Sequence, residues 1–116
     1  MTDEHLAELA GDGVSYLVSQ GEQVDLKASL ETLRAELDID TLLLEGGAAI
    51  NGSFLAEGLV DELHVVVMPA LDARKDMEAI VSHGTDGLKG RVRLSLADCR
   101  RLDHGAVHLK YDVSAA

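Results

Sequence analysis

The chain has 116 residues, 47% of them hydrophobic and 27% charged, a length and balance that suit one folded domain over residues 1–116 and exclude a disordered chain. Ten basic against twenty-one acidic residues give a formal charge of −11, which excludes non-specific attraction to nucleic acid or to an anionic membrane. Aromatic residues at 3%, with no Trp, remove the stacking platforms that single-stranded nucleic acid uses. No apolar run or leader-like segment points to a membrane or to export, so a cytoplasmic location is expected by default.

Thr2 or Asp3 caps a short helix over residues 3–10, where Leu6, Leu9 and Ala10 share a face and Asp3 and Glu4 occupy the first turn. Gly11-Asp12-Gly13 ends it. Val14 to Val18 then reads as a strand, followed by the turn Ser19-Gln20-Gly21. Asp25 caps the next helix, in which Leu26, Leu30, Leu33 and Leu37 recur at helical spacing. The run Thr41 to Glu45 carries three consecutive leucines, as a strand buried on both faces would. A third helix is expected over residues 48–57, with Ile50, Phe54 and Leu55 on one face and Gly58 at its stop. The competing reading, a hairpin about Asn51-Gly52, leaves flanks of three residues without alternation.

Leu63 to Met68 is a further strand, closed by Pro69. Residues 70–90 hold no strong period and predict a long loop with a short helix near 76–81. Arg91 to Cys99 and Ala106 to Val113 alternate as an antiparallel pair joined through Arg100 to Gly105, and Cys99 is expected to be a buried, reduced thiol. The strand and helix alternation that precedes this pair predicts parallel pairing with right-handed crossovers. The turns at 19–23 and 45–47 then open on one edge of the sheet, the edge where open α/β sheets take their ligands.

Glu45-Gly46-Gly47 between the leucine strand and the third helix is the stretch richest in chemistry. The glycines let a bulky anion come close to the main chain. The first amides of a helix starting at Ala48 would face that space, with the positive end of the helix dipole behind them. This is the geometry of a nucleotide phosphate cradle. A tight turn between two packed elements is the other reading, since neither G-x-G-x-x-G nor a P-loop is present.

The order Leu43-Leu44-Glu45-Gly46-Gly47, Ile50-Asn51-Gly52-Ser53-Phe54-Leu55, Gly58-Leu59-Val60-Asp61-Glu62-Leu63 and Pro69 resembles the C-terminal reductase domain of the bifunctional riboflavin-synthesis deaminase-reductase, in the dihydrofolate reductase-like superfamily. The resemblance runs from about Gly13 to Val113. It implies an α/β fold with a mostly parallel sheet flanked by helices and ending in an antiparallel strand pair, here without the N-terminal part of the domain. It also implies an NADPH-dependent reduction of a ribosylamino group on a pyrimidine. By the same resemblance Gly46 and Gly47 carry the cofactor pyrophosphate, with a cis Gly-Gly peptide as one arrangement, and Ala48 and Ala49 offer helix-end amides. Glu45 would face the cleft between nicotinamide and substrate, and the turn at Ser19 to Gly21 would meet the adenosine end. No Arg or Lys in that turn matches a 2′-phosphate, so NADPH over NADH rests on the resemblance. Set against the resemblance, the family's preceding strands are expected to be missing, and the open strand edges would then be covered by a second copy in a homodimer or by the missing N-terminal segment.

Two further classes compete: a non-catalytic, dimerising remnant of the fold, and a nucleotide-binding module without redox activity. Asp61 and Glu62 are adjacent, point to opposite strand faces and cannot pair as acid and base. Asp61 is expected to serve the helix-to-strand junction. The histidines, including His64 at an expected packed or interface position, form no metal-ligand spacing, and no metal is expected. Arg91, Arg93, Arg100 and Arg101 read as a solvated basic face.

Overall fold

In the computed structural model, residues 2–116 are described. They gather into two compact units, Met1–Leu42 and Leu43–Ala116.

The first unit contains α1 (Asp3–Gly11) and α2 (Leu26–Leu37). Both begin where local capping chemistry places them. Thr2 accepts from His5 N at 3.3 Å, and Asp25 Oδ1 accepts from Ala28 N at 2.9 Å, so a helix-end donor that has no backbone acceptor is satisfied at each. At the far end of α2, Asp38 adopts φ 54° and its N–H returns to Arg34 O at 3.1 Å, a left-handed cap that a residue without a Cβ would reach more cheaply. Arg34 also pairs with Asp40.

The second unit contains α3 (Ala48–Ala56) and three strands, β1 (Glu62–Val67), β2 (Val92–Arg101) and β3 (Val107–Ala115). The strands form one antiparallel sheet in the order β1-β3-β2. β2 and β3 are joined across a short 3-10 turn, Asp103–Gly105, and Ala97 is the extra residue where the register shifts between Leu96 and Asp98. Strand alternation gives the sheet two unlike faces. Leu63, Val65, Leu109, Tyr111 and Leu96 lie on one, and Glu62, His64, His108, Lys110, Asp98 and Arg100 on the other, as the register places them.

The C-terminal pair, the three helices and β1 agree with the expectations to within a few residues. The parallel part does not form in this chain. Residues 14–18 and 41–45 are assigned to no strand, because a strand exists only where a neighbour takes its N–H and C=O groups, and no described residue supplies that neighbour. Leu42 and Leu43, apolar as an interior strand would be, are 49% and 77% exposed. No helix forms at 76–81, where the sequence carries no capping or periodic signal to hold one, and Asp76 has φ 61°. Cys99 is exposed rather than buried, since nothing among the described residues covers its part of β2. His64 is likewise exposed, on the polar face. No helix is long and apolar enough to cross a membrane among the described residues.

Candidate functional site

Glu45, Gly46 and Gly47 lead directly into α3. Gly47 is the N-cap residue, at φ 54° and ψ 133°, and no side chain caps this helix. The left-handed φ explains the glycine, because a Cβ here would crowd the following carbonyl. The first helical bond is Asn51 N to Gly47 O at 3.0 Å, so the amides of Ala48, Ala49 and Ile50 lie in the first turn, ahead of the helical ladder. A Cβ placed on Gly46 or Gly47 would meet nothing within 4 Å, and Gly46, Gly47 and Ala49 are exposed. Donors, dipole and open space therefore coincide at one point. The Gly46-Gly47 peptide is trans, as there is no cis bond among the described residues, which corrects the cis arrangement. Glu45 is exposed and its carboxylate makes no hydrogen bond among the described residues.

The floor of this site was not legible in the sequence. Asn51 Nδ2 donates to Ile80 O at 2.9 Å, and Ser82 N donates to Ala48 O at 2.9 Å. Together these clasp residues 80–82 onto the first turn and a half of α3. Gly52 faces the clasp and is buried: a Cβ there would lie 2.7 Å from the Ser82 carbonyl carbon and 3.1 Å from His83 Cβ. The pair Asn51-Gly52 thus joins a distant loop to the helix instead of turning a hairpin. Asn51 Oδ1 is buried with no protein partner.

Ser19 and Gly21 belong to the first unit. There the Ser19 hydroxyl donates to Gln23 O at 2.8 Å and accepts from Gly21 N at 3.4 Å, so both residues build their own turn. Asp61 serves the junction as expected, but through its main chain, accepting from Val113 N at 2.9 Å.

The polar sheet face carries a chain of side-chain bonds across all three strands. Arg100 Nη2 lies 3.1 Å from His108 Nδ1, His108 Nε2 lies 3.0 Å from His64 Nδ1, and His64 Nε2 lies 3.2 Å from Glu62 Oε2. Since Arg only donates, His108 accepts at Nδ1 and donates through Nε2, and His64 in turn donates to Glu62. The two rings stack with centroids 5.2 Å apart. Lys110 Nζ, 2.7 Å from Glu62 Oε1, is the main reason the Glu62 carboxyl is held below its ordinary value, with His64 second. The same pair raises Lys110. No group of three or more His, Cys, Asp or Glu side chains is placed to hold a metal among the described residues.

An uncapped helix start over two glycines, on an Asn-Gly helix ahead of an antiparallel C-terminal sheet, is the arrangement this chain shares with known proteins. The model of the RibD C-terminal domain matches residues 1–108. The chain belongs to the RibD C-terminal domain family. Within that family, it is 36% identical over 94 residues to the 2,5-diamino-6-ribosylamino-4(3H)-pyrimidinone 5′-phosphate reductase of Methanothermobacter thermautotrophicus, covering 80% of this chain and 43% of the relative. It is 37% identical over 87 residues to the riboflavin biosynthesis protein RibD of Actinobacillus pleuropneumoniae, covering 72% of this chain and 23% of that protein. Among solved structures, Acinetobacter baumannii RibD superposes with a TM-score of 0.76 at 31% identity, over 93% of this chain and 29% of that one. A pyrimidine reductase-like protein of Corynebacterium diphtheriae, at 24% identity and a TM-score of 0.77 over 97% of this chain and 44% of that one, shares the fold. The RibD C-terminal fold is thus the fold of this chain, which spans less than half the length of these relatives.

Proposed function

We propose that this chain is part of an NADPH-dependent reductase acting on the ribosylamino group of a pyrimidine phosphate. The observation that carries the reading is the first turn of α3. Its amides at Ala48 and Ala49 stand over two glycines with open space above them and no side-chain cap, in a family whose curated relatives are named as reductases of such a substrate. The residues fit a dinucleotide's diphosphate, because helix-end N–H groups and the dipole both favour an anion there. When bound, a nicotinamide cofactor supplies a hydride for the ribosylamino carbon. The chain's own contribution is positional. Gly46 and Gly47 admit the diphosphate, the Ala48 and Ala49 amides hold it, and Glu45, at the mouth of the turn, presents a carboxylate to the substrate side.

Titration with NADPH tests this directly. Gly47→Asp places a carboxylate where the diphosphate would sit and forces an L-residue into a left-handed φ, so saturable binding is lost. Arg93→Ala, on the strand surface, leaves it intact. Absence of binding by the unaltered chain at millimolar NADPH would refute the proposal.

A second observation favours an assembly. Among the described residues only Leu55 and Ala106 are buried apolar residues, and none of the described residues forms a strand beside the outer edge of β1. We infer that the chain functions as a homodimer that covers these surfaces. Sedimentation velocity decides it: a cooperatively folded monomer at micromolar concentration would overturn the inference. Dimerisation without NADPH binding would instead favour the non-catalytic remnant.

A further inference from the structure

The clasp on α3 continues into a loop of unusual backbone. Between residues 83 and 91, φ is left-handed at Gly84 (52°), Gly87 (57°), Lys89 (51°) and Gly90 (68°). For Lys89 that conformation is unfavourable, because its Cβ approaches the carbonyl. The loop borders an open surface depression of about 340 Å³ whose lining includes His83, Gly84, Asp86, Gly87, Lys89 and Arg91, a volume at the lower end for small-molecule sites. Backbone that mixes left- and right-handed residues turns successive N–H groups into a concavity that favours anions.

The charges agree. Lys89 and Arg91 against Asp86 leave the lining one positive charge in a chain whose net charge is −11. Lys89 Nζ is oriented by Asp86 Oδ2 at 2.9 Å, which leaves two of its three hydrogens for another acceptor. Arg91 Nε donates to Leu88 O at 3.2 Å, which sets the guanidinium plane, while its Nη groups have no protein acceptor among the described residues. His83 adds a ring nitrogen. The stem of the loop is one hydrogen bond from the cradle, through Ser82 N and Ala48 O. The loop and the first turn of α3 are thus joined in sequence and space through residues 80–82.

We propose that the 83–91 loop is a phosphate monoester site, with Lys89 and Arg91 as its charged ligands. Its connection to the reaction rests on the reductase reading above, and two sources share the chemistry: the 2′-phosphate of the cofactor and the phosphate on the substrate's sugar. Both lysine and arginine are exposed, so Lys89→Ala/Arg91→Ala removes the charges without disturbing packing.

The test follows amide shifts of residues 84–91 and binding isotherms for the wild type and this double variant, with inorganic phosphate, ribose 5-phosphate, NADPH and NADH. Phosphate should shift the loop amides in the wild type and not in the variant. The variant should lose about tenfold or more in affinity for one phosphate-bearing ligand, as expected for two charge-assisted contacts, with NADH unchanged. Loss confined to NADPH assigns the cofactor's 2′-phosphate, and loss confined to ribose 5-phosphate assigns the substrate. Loop shifts with phosphate in a chain that binds neither NADPH nor NADH would sustain the phosphate site while removing the reductase reading. Equal affinities in variant and wild type, or loop amides unmoved by phosphate, would overturn the proposal.

Discussion

Replacing Gly52 by Ala sets two opposed effects against each other at one position. In an isolated helix, Gly→Ala would stabilise by about 1 kcal/mol. Here the new Cβ falls 2.7 Å from the Ser82 carbonyl carbon and 3.1 Å from His83 Cβ, and a backbone carbonyl has no rotamer by which to retreat. The loop must lift. Lifting it breaks the Asn51 Nδ2 to Ile80 O and Ser82 N to Ala48 O bonds, each 2.9 Å, at about 0.5–1.5 kcal/mol apiece. The Asn51 amide, whose Oδ1 already lacks a partner, then loses its donor's acceptor as well, adding about 1–3 kcal/mol if it stays dry. The net expectation is a loss of about 2 kcal/mol. Urea denaturation gives the magnitude, and hydrogen exchange at the Ser82 amide shows where the fold opens. Gly46→Ala is the control, since a Cβ there meets nothing within 4 Å and its φ is not left-handed; it should stay within about 0.5 kcal/mol of the wild type. If Gly52→Ala matched or exceeded the wild type in stability, helix propensity would have prevailed and the clasp would not be a strong constraint.

Asp25→Ala should destabilise α2 by about 1 kcal/mol through loss of the Ala28 N–H acceptor, visible as faster amide exchange in the first turn of that helix. Asn51→Leu keeps the volume and removes the tether to Ile80 O; it should cost about 1–2 kcal/mol and loosen residues 80–82 in exchange experiments, whereas an unchanged loop would refute the tether. Glu62 has its pKa lowered from an ordinary 4.5 by Lys110 and His64, so its contribution to stability is complete above that value and disappears as pH falls through the lower folded-state value. Lys110 is raised above 10.5 by Glu62, so its contribution is complete below 10.5 and disappears as pH rises through the higher folded-state value. Glu62→Gln should therefore reduce stability at neutral pH and flatten both the acid and the alkaline limb of the stability profile. A profile parallel to the wild type's would refute the pairing.

Much of the candidate site could be read from ten residues. Glu45-Gly46-Gly47 at the end of an apolar run, with a helix beginning at Ala48, places donors, dipole and glycine where the structure has them, because a helix start is decided by residues a few positions apart. The supporting half could not be read. Asn51 and Gly52 meet Ile80, Ser82 and His83 some thirty positions away, and nothing in the intervening sequence has a period that marks the loop as a docked segment. Asn-Gly is even a good hairpin signal, and only the loop's arrival explains why glycine is required at 52.

The same division runs through the whole protein. By itself the sequence determined the three helices, through Thr2, Asp25 and Gly58 at their ends and leucines at helical spacing in α2, and it determined the alternating pair at the C-terminus. Those signals act within a turn or a hairpin. Tertiary structure alone decided that 14–18 and 41–45 stay unpaired, that Cys99 and His64 face outward, and that His64 stacks on His108, because strand pairing and burial are properties of two segments at once. A run such as Leu42-Leu43-Leu44 states that it should be covered on both faces; which chain covers it depends on neighbours that local pattern does not encode.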